Sequence, residues 1–328
     1  MFPAPHRIGA HRVLLASTAA LVVLGLLTWW LWPREQPPTG TITISTGPQS
    51  GVYHDYGERL RTAIARDMPG LKVELLTSDG SQQNVTRVAS GEADLSIAAA
   101  DAVESYEAPG RGRLRGLARL YDDYVQVVVP HSSDIENISD LKGKRVGVGG
   151  EESGVRLIAT RVLKAAGLDP EKDIVPKSDS IGTAPDRLRN GEIDAFFWSG
   201  GLPTGGLVDL AQVYDFRFIP ISGDLVTELH AQGETSRYYR SSVMPGDAYR
   251  SIQQGAPVQT LTVANLLVTR SDLDPRLTEW LTRVVIKSRD NIGSHVHAAQ
   301  LVDLRTAIYT DPLPLHEGAR RYYRSVKP

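Results

Sequence analysis

Two glycine-containing turns carry the residues whose types and spacing could do chemistry. They are Ser50, Gly51, Val52 and Tyr53 in the first turn, and Ser153, Gly154, Val155 and Arg156 in the second. Each turn follows a predicted strand and begins a predicted helix. A helix that begins at such a turn presents unpaired backbone N–H groups and the positive end of its dipole, which suits a carboxylate or a phosphate. Arg156 could pair with a carboxylate or simply lie on the surface, and each turn could be an ordinary strand-to-helix connection.

Polar side chains elsewhere could complete a binding site around these turns. Ser81 and Asn84 offer a hydroxyl and an amide for direct hydrogen bonds. Asp101 follows a predicted strand, and open α/β sheets bind ligands at strand ends, so it could accept a hydrogen bond from a ligand ammonium. The alternative for Asp101 is a helix cap or a turn residue. Tyr53 and Trp198 could form walls of the site or pack in the interior.

Motifs for catalysis are missing from the sequence. The chain has no cysteine, which excludes disulfides, iron–sulfur clusters, cysteine-bound zinc and thiol catalysis. There is no P-loop and no dinucleotide fingerprint, and Ser153 lies in Gly-Glu-Glu-Ser-Gly rather than Gly-x-Ser-x-Gly. His295 and His297 lack the accompanying HExxH motif of zinc enzymes. We therefore expect no catalytic residues, no metal and no cofactor.

An internal repeat indicates how the two turns are positioned. The triplet Ser-Gly-Val at residues 50–52 returns at residues 153–155, and Gly-Glu-Ala-Asp at 91–94 returns as Gly-Glu-Ile-Asp at 191–194. The two copies occur in the same order, each between predicted strands and helices, so the repeat predicts two α/β lobes of one plan. A chance match of small-residue turns is the alternative.

Two long apolar segments are predicted to connect these lobes. Val125 to Val129 and Thr260 to Thr269 read as strands buried on both faces. They would carry the chain from lobe I (41–127 and 264–328) to lobe II (128–263) and back, leaving a cleft between the lobes. The expected fold class is therefore α/β, with two lobes and two hinge crossings.

The N-terminal segment predicts an attachment to a membrane. Residues 13–32 form an apolar run without a charge, preceded by Arg7 and Arg12 and ending in a tryptophan-rich sequence. At 1.5 Å per residue such a helix spans about 30 Å, the thickness of a bilayer core. We expect a cytoplasmic N-terminus (1–12), an uncleaved transmembrane anchor (13–32) and a tether (33–40). A cleaved secretory signal is the rival, although its apolar core is usually shorter and ends in small residues.

The overall charge argues against a nucleic-acid partner. The chain has 328 residues and a formal net charge of −2, with ordinary globular composition. The one basic run, from Arg111 to Arg119, is short and reads as a solvated connection between elements. We therefore expect no nucleic-acid binding.

Several ordered motifs resemble the TAXI family of solute-binding subunits of TRAP transporters. They are STGPQSGVYHDYG, SQQNVTRVASGEADLSIAAAD, LKGKRVGVGGEESG, GEIDAFFWSGGLP, LTVANLLVTRSDLD and LPLHEGARRYY. Within them, Gly51 to Tyr53, Ser81 with Asn84, Asp101, and Ser153 with Gly154 match positions of the family pattern. The departures from the pattern are the lead Pro48-Gln49-Ser50, His54, Asp55, Val155 and Arg156.

The resemblance implies a type II periplasmic-binding-protein fold and a small organic acid or acidic amino acid, such as glutamate, held between the lobes. It also implies delivery to a membrane permease driven by an ion gradient. We therefore expect a membrane-anchored, extracytoplasmic solute-binding protein. An alternative is a ligand sensor that signals to a membrane partner such as a histidine kinase.

Overall fold

The computed structural model describes residues 10–31, 36–294, 296, 298, 300 and 302–326. The chain divides into two compact units, residues 1–36 and 37–328. The first unit contains α1 (Ala10–Leu31). None of the helices within the described ranges has both the length and the hydropathy needed to cross a bilayer. The predicted anchor therefore stays a prediction. Some predicted features lie outside the described ranges: Trp32 at the end of the anchor, residues 33–35 of the tether, and the pair His295 and His297.

The second unit begins with a parallel sheet that forms most of lobe I. Its strands are β1 (Gly40–Ser45), β2 (Leu71–Leu76) and β3 (Leu95–Ala99), in the order β2-β1-β3. Three helices follow these strands in turn: α2 (Val52–Asp67), α3 (Ser81–Ser90) and α4 (Ala100–Glu104). The first predicted turn therefore connects β1 to α2, as expected from the change of apolar spacing at Val52.

Two long strands connect the lobes. They are β4 (Leu114–Pro130) and β10 (Val258–Arg270), which run antiparallel to each other. β10 pairs with β3 over residues 265–269 and with β9 over residues 258–263, so its neighbour on one edge changes at the middle of the strand. β4 pairs with β7 over residues 124–128. The predicted lobe boundaries fall within these two strands and stay a prediction.

Part of the basic run is strand, where the sequence suggested a solvated connection. Arg115 and Arg119 lie within β4, which begins at Leu114. The residues between these arginines, Gly116, Leu117 and Ala118, are buried. The prediction was wrong here because β10, which is distant in sequence, pairs with residues 114–124 and so makes β4 longer than the apolar run of Val125 to Val129.

Lobe II repeats the pattern of lobe I. Its strands are β5 (Arg145–Gly147), β6 (Val175–Lys177), β7 (Ala195–Gly200), β8 (Phe216–Ile219) and β9 (Tyr239–Met244). Its helices are α5 (Gly154–Ala165), α6 (Ala184–Arg189), α7 (Gly205–Val213), α8 (Gly223–His230) and α9 (Arg250–Gln253). The second predicted turn lies between β5 and α5, and β5 is flanked by β6 and β7 in parallel.

The chain then returns to lobe I, where three more helices lie within the described residues. They are α10 (Pro275–Lys287), α11 (Arg289–Gly293) and α12 (Glu317–Val326). Asp274 caps α10 by accepting a hydrogen bond from the backbone N–H of Leu277 at 2.8 Å, and Pro275 occupies the first helical position. Leu281 and Val285 of α10 lie in the same buried cluster as Ile42 of β1.

The two hydrophobic cores are not divided cleanly between the lobes. One core lies in lobe I and includes Ile44 of β1. The other fills lobe II but also takes in Val85 and Val88 of α3 and Val103 of α4. Each buried valine contributes roughly 1.5–3 kcal/mol relative to exposure. The helices that follow β2 and β3 therefore share a core with lobe II, which holds the two lobes close together.

Candidate functional site

A cleft between the lobes contains a cavity with about 470 Å³ of space between its atoms, including its open mouth. It lies at the carboxyl ends of parallel strands from both lobes, where open α/β sheets bind ligands. Its lining residues are Pro48, Gly51, Val52, Tyr53, Asp79, Gly80, Ser81, Ala99, Asp123, Ser153, Gly154, Val155, Ile158, Trp198, Ser199 and Gly200. The space suits a small molecule rather than a polymer.

The N-termini of three helices converge on this cavity. α2 begins at Val52, α3 at Ser81 and α5 at Gly154, and all three residues line the cavity. The first N–H groups of a helix have no acceptor within the helix, and the positive end of each dipole lies there. Each such terminus stabilises a partly buried anion by up to about 2 kcal/mol. The cavity is therefore suited to a negatively charged group, although none of its lining residues is lysine, arginine or histidine.

A hydrogen-bond network holds Tyr53 in place on one wall. The Tyr53 hydroxyl donates to Oδ1 of Asn265 and lies 3.0 Å from the Ser81 Oγ. Ser81 Oγ also accepts a hydrogen bond from the backbone N–H of Ala99 at 3.1 Å, which leaves its proton for Tyr53. Burial raises the pKa of Tyr53 well above its ordinary value, so the phenol stays neutral.

Asp123 is the main ionisable group of the cavity. It lies on β4, is only 3% exposed, and its Oδ1 has no hydrogen-bond partner among the residues described. Burial raises the pKa of this carboxyl to about 8, against the opposing influence of the Asn265 side chain. Nδ2 of Asn265 and Oγ of Ser199 are likewise buried without a partner in that part of the chain. A buried polar atom without a partner is costly, so Asp123 and Ser199, which both line the cavity, mark where a ligand could bind.

Asp123 was not among the residues predicted for the site. The signal that could have found it is an aspartate pair, Asp122 and Asp123, which Tyr124 separates from the apolar run of Val125 to Val129. A carboxylate next to a buried apolar segment is costly to bury, so it requires a partner or a function. Asp79 also lines the cavity and was not predicted.

Most of the predicted site residues lie on the cavity lining. They are Gly51, Val52, Tyr53, Ser81, Ser153, Gly154, Val155 and Trp198. Ser153 also caps α5, because its Oγ accepts a hydrogen bond from the backbone N–H of Arg156 at 3.1 Å. The indole N–H of Trp198 donates to Thr204 Oγ1 at 3.0 Å, which orients the ring.

The remaining predicted residues, Ser50, Asn84, Asp101 and Arg156, do not line this cavity. Asn84 is fully buried within lobe I, where its amide nitrogen donates to the carbonyl of Ile97 at 2.8 Å and its oxygen accepts from Ser45 Oγ at 2.7 Å. Arg156 donates from Nη2 to Ser178 Oγ. Ser50 lies near the rim, where it lines neighbouring depressions.

Asp101 is part of a buried polar cluster instead. Its Oδ2 accepts a hydrogen bond from the Tyr239 hydroxyl at 2.6 Å and lies 3.4 Å from Nη1 of Arg161. The other arm of Arg161 donates to Ser105 Oγ at 2.7 Å. Asp101 follows β3 and Arg161 lies on α5, so this ion pair joins lobe I to lobe II. The predicted position at a strand end is correct, but Asp101 does not line the cavity and its Oδ2 is already partnered, whereas its Oδ1 is buried without a partner among the described residues.

Direct contacts close the lobes over the cavity. The side-chain amide of Gln82 donates to the carbonyl of Ser153 at 2.7 Å, and the backbone N–H of Gln83 donates to the carbonyl of Glu152 at 3.1 Å. A Cβ added at Gly154 would lie 3.0 Å from the Ser81 Oγ, so the absence of a side chain at this residue favours the close approach of the α3 and α5 termini. The structure therefore shows the closed arrangement of the two lobes.

The fold is similar to that of solved bacterial proteins. A protein from Bordetella bronchiseptica RB50 has a TM-score of 0.52 at 19% identity, covering 88% of this chain and 90% of that chain. A putative L-cystine ABC transporter from Listeria monocytogenes has a TM-score of 0.50 at 15% identity, covering 81% of this chain and 99% of that chain. An ancestral arginine-binding protein bound to arginine has a TM-score of 0.50 at 17% identity, covering 78% of this chain and 98% of that chain.

These similarities show a two-lobed, periplasmic-binding-protein-like α/β fold. The sequence comparison with known families is more specific, because one family matches over nearly the whole second unit. Residues 44–326 match the NMT1-like family, and the chain therefore belongs to it.

Proposed function

We propose that this protein is an extracytoplasmic solute-binding protein that captures a small organic anion between its lobes and delivers it to a membrane transporter. The observation that carries the proposal is the convergence of the α2, α3 and α5 N-termini on one cavity between the lobes. The backbone N–H groups at such termini bind an anion through hydrogen bonds and form no covalent bond with it. The protein would hold its ligand and release it unchanged, with no catalysis of its own.

The charges of the cavity favour an acidic amino acid, such as glutamate, over a plain dicarboxylic acid. The helix termini would receive the carboxylates, and Oδ1 of Asp123 would accept a hydrogen bond from the ligand ammonium. A dicarboxylate without an amine offers no donor to the ionised form of Asp123, which would stay buried and unpartnered at a cost of about 1–3 kcal/mol or more. The neighbouring Ser199 hydroxyl, also without a partner among the described residues, would bind a further polar atom of the solute.

A calorimetric titration tests the choice of solute. We expect L-glutamate to bind the purified full chain, and succinate to bind at least tenfold more weakly. Asp123→Asn should remove most of that preference, whereas Asp122→Asn, on the same strand but outside the cavity lining, should retain it. If no acidic amino acid or dicarboxylate raises the melting temperature at millimolar concentration, the proposed solute class is wrong.

The transporter partner is proposed as a TRAP-type permease, with the protein as a TAXI-type subunit. The support is the set of ordered motifs from residue 45 to residue 323, together with membership of the NMT1-like family. Reconstitution of the purified protein with a TRAP permease in vesicles should give uptake of labelled solute that depends on both proteins. Binding to a histidine kinase with no uptake would favour the sensor alternative.

Anchoring by residues 13–32 is proposed from their uncharged apolar composition. The full chain should pellet with membranes and resist extraction by alkaline carbonate. A variant that lacks residues 1–36, which form a separate compact unit, should appear in the soluble fraction. If expression of the full chain yields a protein that has been cleaved after about residue 30, the segment is a cleaved signal instead.

A further inference from the structure

A fully buried asparagine lies behind the wall of the cleft cavity. Asn265 is on β10 and does not itself line the cavity. Its Oδ1 accepts a hydrogen bond from the Tyr53 hydroxyl, whereas its Nδ2 is buried without a partner in the described part of the chain. An amide that is held at its oxygen and unsatisfied at its nitrogen has a donor available for a further group.

The hydrogen-bond chain behind Tyr53 determines which way this amide faces. The backbone N–H of Ala99 donates to Ser81 Oγ, which lies 3.0 Å from the Tyr53 hydroxyl. Because Oδ1 of Asn265 can only accept, Tyr53 donates its single proton to Asn265 and accepts a hydrogen bond from Ser81. Each donor of this chain is used once, and the nitrogen of the Asn265 amide is left for a different neighbour.

The strand register makes Asp123 that neighbour. Asp123 pairs with Val263 in the ladder between β4 and β10, and Asn265 lies two residues further along β10, on the same face. The ladder is irregular between Ala264 and Leu266, and bulges of this kind change the direction of a side chain. The Asn265 amide opposes the rise in the pKa of Asp123, as an N–H directed at a carboxylate does. The two side chains therefore interact.

The ionisable groups around Asp123 do not stabilise its carboxylate. They are the carboxyl groups of Asp79, Asp101 and Asp122 and the phenols of Tyr53 and Tyr121. The charges of Asp101 and Asp122 oppose the ionisation of Asp123, although Arg161 and Arg119 pair with them. Burial raises the pKa of both phenols, which stay neutral. Among the described residues that act on the pKa of Asp123, Asn265 is the group that lowers it.

We propose that Asn265 is a positioning residue for recognition of the solute amine: Tyr53 orients its amide, and Nδ2 donates to the carboxylate of Asp123 while that carboxylate accepts a hydrogen bond from the ligand ammonium. This role rests on the proposed function, because it concerns the same cavity and the same solute. A carboxylate that receives both hydrogen bonds is stabilised relative to its neutral form. Asn265 thereby favours an amino acid over a dicarboxylate without contacting the ligand.

Asn265→Leu removes the amide at nearly constant volume, and Thr269→Val is the matched control. Thr269 is also a fully buried polar residue of β10, donates to the carbonyl of Asp94 at 2.8 Å, and does not line the cavity. Tyr53→Phe keeps the ring but releases the Asn265 amide, and it serves as the second variant should Asn265→Leu fail to fold. L-glutamate and succinate would be titrated by calorimetry into the full chain of each variant between pH 6 and pH 9.

We expect Asn265→Leu to bind L-glutamate about tenfold more weakly than the wild type at pH 7, and succinate within about twofold of the wild type. From pH 8 to pH 9 the glutamate affinity should rise about twofold in the wild type and about fivefold in Asn265→Leu, because the variant requires a higher pH to ionise Asp123. Tyr53→Phe should change both quantities in the same direction by a smaller factor, and Thr269→Val should match the wild type.

An unchanged pH profile in Asn265→Leu, or in Tyr53→Phe if only that variant folds, would overturn the role of Asn265 and leave the proposed function standing. Equal losses of glutamate and succinate affinity with no change of the pH profile would also overturn it, because they would show that Asn265 only supports packing. If the wild type binds neither solute, the proposed function itself fails, and the role of Asn265 fails with it.

Discussion

The ionisation of Asp123 leads to a quantitative prediction for solute binding. Burial raises the pKa of this carboxyl from its ordinary value of 3.8 to about 8 in the empty protein. At pH 7 only about one molecule in ten then carries the ionised form, and at pH 6 about one in a hundred. If a ligand ammonium requires the carboxylate, the affinity should rise about ninefold from pH 6 to pH 7 and about 50-fold from pH 6 to pH 8.

Calorimetry measures both parts of this effect. Titrations at pH 6, 7 and 8 give the affinities, and repeating them in buffers of different ionisation enthalpy gives the protons released, about 0.9 per ligand at pH 7. Asp123→Asn should bind more weakly and with a nearly flat pH profile. Asp122→Asn should keep the rise of affinity with pH, displaced to lower pH because the charge of Asp122 helps to raise the pKa of Asp123. An affinity that is constant below pH 8 and falls above it would refute the reasoning, because it would mean that neutral Asp123 donates a hydrogen bond to an anionic ligand.

The same shift predicts how stability depends on pH in the absence of solute. The folded protein retains the Asp123 proton up to about pH 8, whereas the unfolded chain loses it near pH 4. Between these values the folded state binds more protons, so this group lowers the free energy of unfolding as pH rises from about 4 to 8. Four pKa units correspond to at most about 6 kcal/mol. Asp123→Asn should therefore be more stable than the wild type at pH 8 and nearly equal to it at pH 4, as measured by urea unfolding.

Three further substitutions test how the lobes and the site are held. Gly154→Ala places a methyl group 3.0 Å from Ser81 Oγ, so it should weaken solute binding at least tenfold by calorimetry while changing the melting temperature of the empty protein little. Arg161→Met leaves the fully buried carboxylate of Asp101 without its cation and should destabilise the protein by about 3–5 kcal/mol in urea unfolding; an unchanged midpoint would show that this pair is not formed in solution. Asn84→Ala removes the buried hydrogen bonds of the amide and should cost about 2–4 kcal/mol of stability. A loss of solute affinity at full stability would instead assign Asn84 to the ligand.

Local sequence patterns predicted the elements that form the two turns. The alternation at residues 41–45 and the helical spacing from Val52 correspond to β1 and α2, and the second copy corresponds to β5 and α5. Glycine and serine at the turns end each strand and start the next helix, because the backbone geometry and the cap depend on neighbouring residues alone. The repeat also indicated that both turns face a shared cleft.

Contacts between distant parts of the chain decided what the sequence left open. The prediction rested on the two turns, but the α3 N-terminus joins the site as well, because Ser81 hydrogen-bonds to Tyr53 across the lobe I interior. Asp101 satisfied the local criterion for a ligand-binding acid, yet Arg161 and Tyr239 of lobe II pair with it. Which of several similar carboxylates has an ion pair and which one lines the cavity depends on groups far away in sequence.

The sequence by itself therefore determined the two-lobed α/β plan, the strand and helix positions around each turn, and the glycines that let the helix termini approach. Only the tertiary structure decided that Asp123 points into the cavity, that its Oδ1 lacks a partner in the described part of the chain, and that its pKa is raised. The physical reason is that propensity and capping act over a few residues. Burial and charge, in contrast, depend on every element packed around a group, and here those elements come from both halves of the chain.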